Sequence, residues 1–122
     1  MSMTFDLRDP VTKKILHTEK NHFMTGCNVP VGGTTEMTLD ITYNYSDIIN
    51  KVFTNDDDCD YCYTLNGKSG AESIPLLKEA ISKLNDDVGT DYWQATEGNA
   101  KRALYHLLAF AQMRPDGVWV VY

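Results

Sequence analysis

No run in the sequence approaches the roughly 20 consecutive apolar residues that a membrane-spanning helix requires. The opening, MSMTFDLRDP, lacks both the basic n-region and the apolar h-region of a secretory signal. Cysteine is scarce and odd in number: Cys27, Cys59 and Cys62 are the three present. Without a secretory signal, that count argues for reduced thiols rather than a disulfide framework. Basic residues are in deficit, with 11 Lys and Arg against 17 Asp and Glu and a formal net charge of −6. The deficit is even, since segments 1–50, 51–70 and 71–122 each carry two more acidic than basic groups. No basic arm or stripe is available to neutralise phosphates, which argues against nucleic-acid binding. The acidic charge is also too sparse for a mimic of DNA. The expectation is a cytoplasmic protein with neither a nucleic-acid nor a membrane partner.

What is present is ordinary globular material. The 122 residues are 43% hydrophobic and 23% charged, enough for one core and one domain spanning 1–122. Thr4 to Arg8 and Ile15 to Glu19 alternate polar and apolar residues around an Asp9-Pro10 turn, which reads as a β-hairpin. Asn21 to Thr35 has no periodicity. Glu36 to Tyr43 alternates cleanly, placing Met37, Leu39, Ile41 and Tyr43 on one face of a strand. A short helix follows over 47–53 with Ser46 as its cap, and Thr54 to Gly70 reads as a polar loop with a short strand around Tyr61-Cys62-Tyr63. Ser73 is positioned to cap a second helix carrying Pro75 in its first turn and Ile74, Leu77, Ile81 and Leu84 at helical spacing. A third helix spans 97–113 on Ala100, Ala103, Leu104, Leu107, Leu108 and Ala111, and Val118 to Tyr122 closes the chain as a strand. Strands early and helices late predict an α+β fold: an antiparallel sheet of N-terminal hairpin, central strand and C-terminal strand against about three helices.

The familiar chemical motifs fail on their spacing. Cys59-Asp60-Tyr61-Cys62 is a CxxC pair that Cys27 and His22 could complete to a Cys₃His zinc set, but no second spaced pair exists. Counting from Asn55 as a calcium loop, the sixth residue is Asp60 and the twelfth Asn66, where Gly and Glu are needed. Gly67-Lys68-Ser69 resembles the end of a P-loop, yet Cys62 stands where its first Gly belongs. His17, His22 and His106 are scattered, with no Ser or Cys placed beside them as a nucleophile, and His106 lies off the apolar stripe. No metal and no cofactor is expected.

Two polar–aromatic clusters stand out. Thr42-Tyr43-Asn44-Tyr45-Ser46 sits where a strand runs into a helix, and Asp91 to Arg102 leads into the third helix. Tyr43, Tyr45 and Trp93 offer stacking faces, and Asn44, Thr96, Glu97 and Asn99 offer polar edges. Arg102, with Lys101, adds positive charge near a helix N-terminus that Gly98 leaves open to close approach. If the clusters meet, they would hold a small aromatic anion, nucleotide-like in type. The competing structural reading has Thr96 and Asn99 only capping, and the aromatics plugging the edge between sheet and helix.

The stretches Gly70-Ala71-Glu72-Ser73-Ile74-Pro75, Tyr92-Trp93 with Thr96-Glu97-Gly98-Asn99-Ala100-Lys101-Arg102-Ala103-Leu104, and Met113-Arg114-Pro115-Asp116-Gly117-Val118-Trp119 form a recognisable set. Together with Gly32-Gly33-Thr34-Thr35 and Asn44-Tyr45, they resemble small uncharacterised proteins encoded by bacteriophages, prophages and their bacterial hosts. The resemblance spans most of the chain, implies a bacterial or phage-infected cytoplasm, and carries no catalytic residues across.

Three functions follow as expectations. The first is a non-enzymatic binding protein holding a small anionic ligand or a host protein, including a role against host defence. The second is a small hydrolase or transferase on a phosphate-containing ligand, with Glu97 or Glu72 as general base. The third is an assembly protein whose apolar Val118 to Tyr122 strand pairs across a homo-oligomer.

Overall fold

A computed structural model of the protein describes residues 2–22, 33–53, 64–89 and 93–122. The fold is α+β, with antiparallel strands and three α-helices among the described residues. In chain order the elements are β1 (Ser2–Arg8), β2 (His17–His22), β3 (Thr34–Glu36), β4 (Thr38–Thr42), a 3₁₀ turn (Tyr43–Tyr45), α1 (Ser46–Val52), α2 (Gly70–Ser82), α3 (Glu97–Met113) and β5 (Val118–Val121). Cys27, Cys59, Cys62, the acidic stretch 55–60, Gly32 and Tyr92 lie outside the described residues, as does the short strand expected around Tyr61.

The main sheet has the order β4-β1-β5, with Phe5 opposite both Leu39 and Val121. Alternation sends Met3, Phe5, Leu7, Leu39, Ile41, Trp119 and Val121 into the core, where they meet Leu77, Ile81, Leu104, Leu107 and Phe110 from the helices. On the opposite sheet face the polar residues satisfy one another. Thr4 Oγ1 donates to Asp40 at 2.6 Å, and the fully buried Asp6 accepts from Thr38 Oγ1 at 2.6 Å, Arg8 Nη2 at 2.6 Å and the Tyr122 hydroxyl at 3.0 Å.

The expected hairpin forms only at its base. Arg8 bridges Ile15 and the Leu16 N–H donates to the Leu7 carbonyl at 3.0 Å, but β2 then leaves to pair with β3 in a separate two-stranded ribbon. The reason is competition for the edges of β1, which β4 and β5 occupy. The strand expected to continue through Tyr43 stops at Thr42, whose hydroxyl accepts from the Asn44 N–H and opens the 3₁₀ turn. Tyr43 is thereby turned outward and Tyr45 inward. Ser46 is the first residue of α1 rather than its cap; its N–H closes the turn on the Tyr43 carbonyl, and α1 begins directly from there.

The second helix starts earlier than its apolar pattern suggests. Ser69, not Ser73, is the cap, in a reciprocal capping box in which Glu72 accepts from the Ser69 N–H and donates its own N–H to the Ser69 hydroxyl. Pro75 consequently falls inside the helix. Ser73 is buried and serves the core: its hydroxyl donates to the Gly70 carbonyl at 2.7 Å and accepts from Trp119 Nε1 at 2.8 Å. The third helix has the bounds expected of it. The C-terminal strand is not an open edge, because β5 pairs with β1 on one side and is bonded to residues 66–69 on the other. Trp119 N donates to the Lys68 carbonyl and Val121 N to Asn66 Oδ1. No helix among the described residues is long and apolar enough to cross a membrane.

Candidate functional site

The two aromatic clusters singled out in the sequence do meet: Asn44 Nδ2 donates to the Trp93 backbone carbonyl at 3.0 Å. Tyr43 and Trp93 remain largely exposed, at 41% and 49% of their surface, and Arg102 is exposed on α3. The remaining residues of the expected site are committed to the fold. Tyr45 is completely buried and cannot stack on a ligand, because the 3₁₀ turn rotates it into the core. Thr96 caps α3 by accepting from the Asn99 N–H at 3.2 Å, and the buried Asn99 side chain donates to the Gln94 carbonyl at 3.0 Å. Glu97 accepts from the Asn85 N–H at 3.0 Å, which ties the start of the α2–α3 connection to α3. Lys101 is paired with Asp86 at 2.8 Å.

The opening at Gly98 is filled by backbone rather than ligand. A Cβ there would lie 2.6 Å from the Asp87 carbonyl carbon and oxygen, and the Gly98 N–H donates to that oxygen at 3.0 Å. The polar half of the expected anion site is thus consumed by capping and by docking of the α2–α3 connection. Glu72, the other candidate base, is held below the usual carboxylate range by the Ser69 N–H and then by its hydroxyl. A carboxylate stabilised in its charged form in this way is a weak proton acceptor.

Among the described residues a concave site lies elsewhere, between β2 and the C-terminal half of α3. This cleft of about 690 Å³ is lined by His17, Lys20, His22, Met37, His106 and Phe110, and continues past Ala109, Met113 and Arg114. All three histidines of the chain therefore reach one cleft, although 89 residues separate the first from the last. Three rings make its wall. The His22 and His106 centroids are 5.0 Å apart with planes at 84°, and both rings lie against Phe110 at 5.0 and 4.9 Å. His22 Nε2 contacts the Glu36 carbonyl at 2.5 Å, while His17 Nδ1 contacts Thr35 Oγ1 at 2.9 Å, so β3 orients both side chains.

A carbonyl can only accept, so Nε2 of His22 is the donor in its contact with Glu36. Its Nδ1 is buried and has no hydrogen-bond partner among the described residues. Burial, and secondarily the proximity of His22, pushes His106 down to about 4. Among the described residues no group of three or more His, Cys, Asp or Glu is placed to hold a metal ion.

Sequence reading missed this cleft because it is built from non-local contacts. β2 reaches α3 only after leaving the hairpin, and no local pattern announces that departure. The one available signal was His106 lying beside, rather than within, the apolar stripe of α3.

The His106 shift has a consequence for stability. Its imidazole is neutral in the folded protein and takes up a proton on unfolding anywhere between about pH 6.5 and 4, so stability falls as pH falls through that window. Allowing for solvent screening of this partly exposed ring, the loss is on the order of 2 kcal/mol. Urea unfolding of metal-free protein at pH 7.0, 5.5 and 4.0, compared with His106→Gln, checks this. The variant should show a visibly flatter pH dependence, and identical slopes would refute the assignment.

No family model, no curated protein and no solved structure matches the chain.

Proposed function

We propose that the protein is a non-catalytic binding protein that holds a small amphipathic anion in the cleft between β2 and α3. The observation that carries this reading is the cleft itself: a concave space of about 690 Å³, floored by Met37 and Phe110 with Ala109 and Met113 beside them. Ligand sites are typically apolar concavities of this size with a few convergent polar groups and perturbed titrations. At the rim stand Lys20, His17 and Arg114, with Glu19 as the opposing charge. Asp116 engages the Arg114 guanidinium through both carboxylate oxygens, which leaves Lys20 as the cation best able to meet an acidic head group. The resemblance to phage and prophage proteins suggests a bacterial host metabolite as the ligand, and a role against host defence would follow from sequestering it.

The test is native mass spectrometry of protein freshly purified from a bacterial cytoplasm, before and after denaturation. A small mass released intact supports a binding protein, whereas a chemically altered one supports the hydrolase or transferase. Ala109→Trp should fill the cleft from the solvent side of α3 and weaken retention at least 10-fold, while Lys20→Glu should weaken an acidic ligand about 3- to 10-fold. Retention by a folded Ala109→Trp variant would place the ligand elsewhere.

The Asn44–Trp93 bond favours a second reading, in which the exposed Tyr43 and Trp93 edge docks a host protein. Large exposed aromatics are enriched at interface hot spots. Trp93→Ala with Arg102→Ala would abolish that docking and leave the cleft ligand bound.

A further inference from the structure

We propose that His22 and His106 form a two-imidazole seat for a first-row transition-metal ion of the imidazole-preferring kind, zinc or copper. The proposal is independent of the organic ligand discussed above and stands if the cleft holds none.

The first observation is His22 Nδ1, a buried ring nitrogen with no hydrogen-bond partner among the described residues. Leaving such a polar atom unsatisfied is costly, and buried orphans of this kind usually have a specific explanation. The second observation is the orientation of the ring. Donation of one ring N–H to a carbonyl is the usual arrangement around a metal-binding histidine, because it fixes the tautomer and leaves the other nitrogen as the ligand. Glu36 supplies that carbonyl through the backbone of β3.

The third observation is the position of the second ring. Two imidazoles bound to one tetrahedral ion, each nitrogen about 2.0–2.1 Å from it, place their centroids roughly 5 Å apart. The His22–His106 separation is 5.0 Å. The other ionisable groups that line the cleft with His106 are His22, His17, Glu19, Lys20 and Arg114, and Arg114 is committed to Asp116. Met37 and Met113 line the same cleft, and thioethers of this type bias a site towards copper in its reduced state. With two protein ligands in place, the ion keeps positions open to water or to an added ligand, since no third His, Cys, Asp or Glu among the described residues joins the pair.

The experiment is an NMR titration of the reduced, metal-free full-length protein with Zn²⁺, following the imidazole carbon-bound protons of all three histidines. Isothermal titration runs in parallel on wild type, His106→Gln, His22→Gln and His17→Gln. The His22 and His106 signals should move together and saturate at one equivalent, with His17 unmoved. His106→Gln and His22→Gln should each weaken that binding at least 10-fold, and His17→Gln should leave it unchanged. Because the imidazole readout needs no substitution, a variant that fails to fold does not remove the test. The proposal is overturned if no imidazole signal moves, if His17 responds as strongly as the pair, or if zinc binds undiminished to both glutamine variants, which would assign it to the thiols.

Discussion

Trp119→Ala is expected to cost about 3–5 kcal/mol of folding stability, while Trp93→Ala costs less than about 0.5 kcal/mol. These are the only two tryptophans, and the structure separates them completely. Trp119 is fully buried at the centre of the core, whereas Trp93 keeps 49% of its surface in solvent. Truncating Trp119 leaves a cavity between the sheet and α2 and removes the Nε1 donor from the Ser73 hydroxyl. The strand around it is also held on both edges, by β1 and by the 66–69 segment, so the walls cannot collapse freely into the void. A domain of this size holds only about 5–15 kcal/mol in total, so the variant should lose a large part of its margin and melt some 10–20 °C lower. Trp119→Phe keeps most of the ring, leaves Ser73 bonded to the Gly70 carbonyl, and should cost about 1–2 kcal/mol. Urea unfolding followed by circular dichroism gives all three values. Equal, small losses for Trp119→Ala and Trp93→Ala would show that the core is not organised around Trp119.

This contrast also shows what was legible in the sequence. Periodicity found β4 up to Thr42, the full extent of α3 and the apolar character of β5, because each is a run in which local pattern and burial agree. It failed where a short-range hydrogen bond overrode the pattern. The Thr42 hydroxyl ends the alternation one residue early, so Tyr43 turns outward from the core face that period two assigns it, while Tyr45 is buried. The Ser69–Glu72 box starts α2 ahead of its first apolar residue, which frees Ser73 to receive Trp119. Pairing partners were harder still. That β1 takes β4 and β5 and sends β2 away depends on contacts spanning most of the chain, and the His22–His106–Phe110 wall is a product of that choice. At the expected site, residue types were read correctly as polar and capping. Whether their bonding capacity was left for a ligand depended on the α2–α3 connection, which the sequence does not place.

Gly98→Ala decides that last point and should destabilise by about 2–3 kcal/mol, against the usual direction for glycine to alanine inside a helix. Helix propensity alone favours alanine by roughly 1 kcal/mol. Here the added methyl would sit 2.6 Å from the Asp87 carbonyl carbon and oxygen and 2.9 Å from the Asp86 carbonyl carbon, all backbone atoms. That backbone cannot swing aside cheaply, because it is pinned on every side. Gly98 N–H holds the Asp87 carbonyl, Glu97 holds the Asn85 N–H, and Lys101 Nζ reaches both the Leu84 carbonyl at 3.2 Å and Asp86 at 2.8 Å. Displacing Asp87 therefore strains several bonds of one clamp, and the loss should appear as faster amide exchange at residues 85–87 as well as a lower urea midpoint. Gly67 supplies the control. It has φ +83° with nothing within 4 Å of an added Cβ, so Gly67→Asn, a residue that tolerates that conformation, should be nearly neutral. If Gly98→Ala instead stabilises the protein by the 1 kcal/mol or so that propensity offers, the first turn of α3 is open after all. The polar groups of Thr96, Glu97 and Asn99 would then be restored as an anion site beside Trp93.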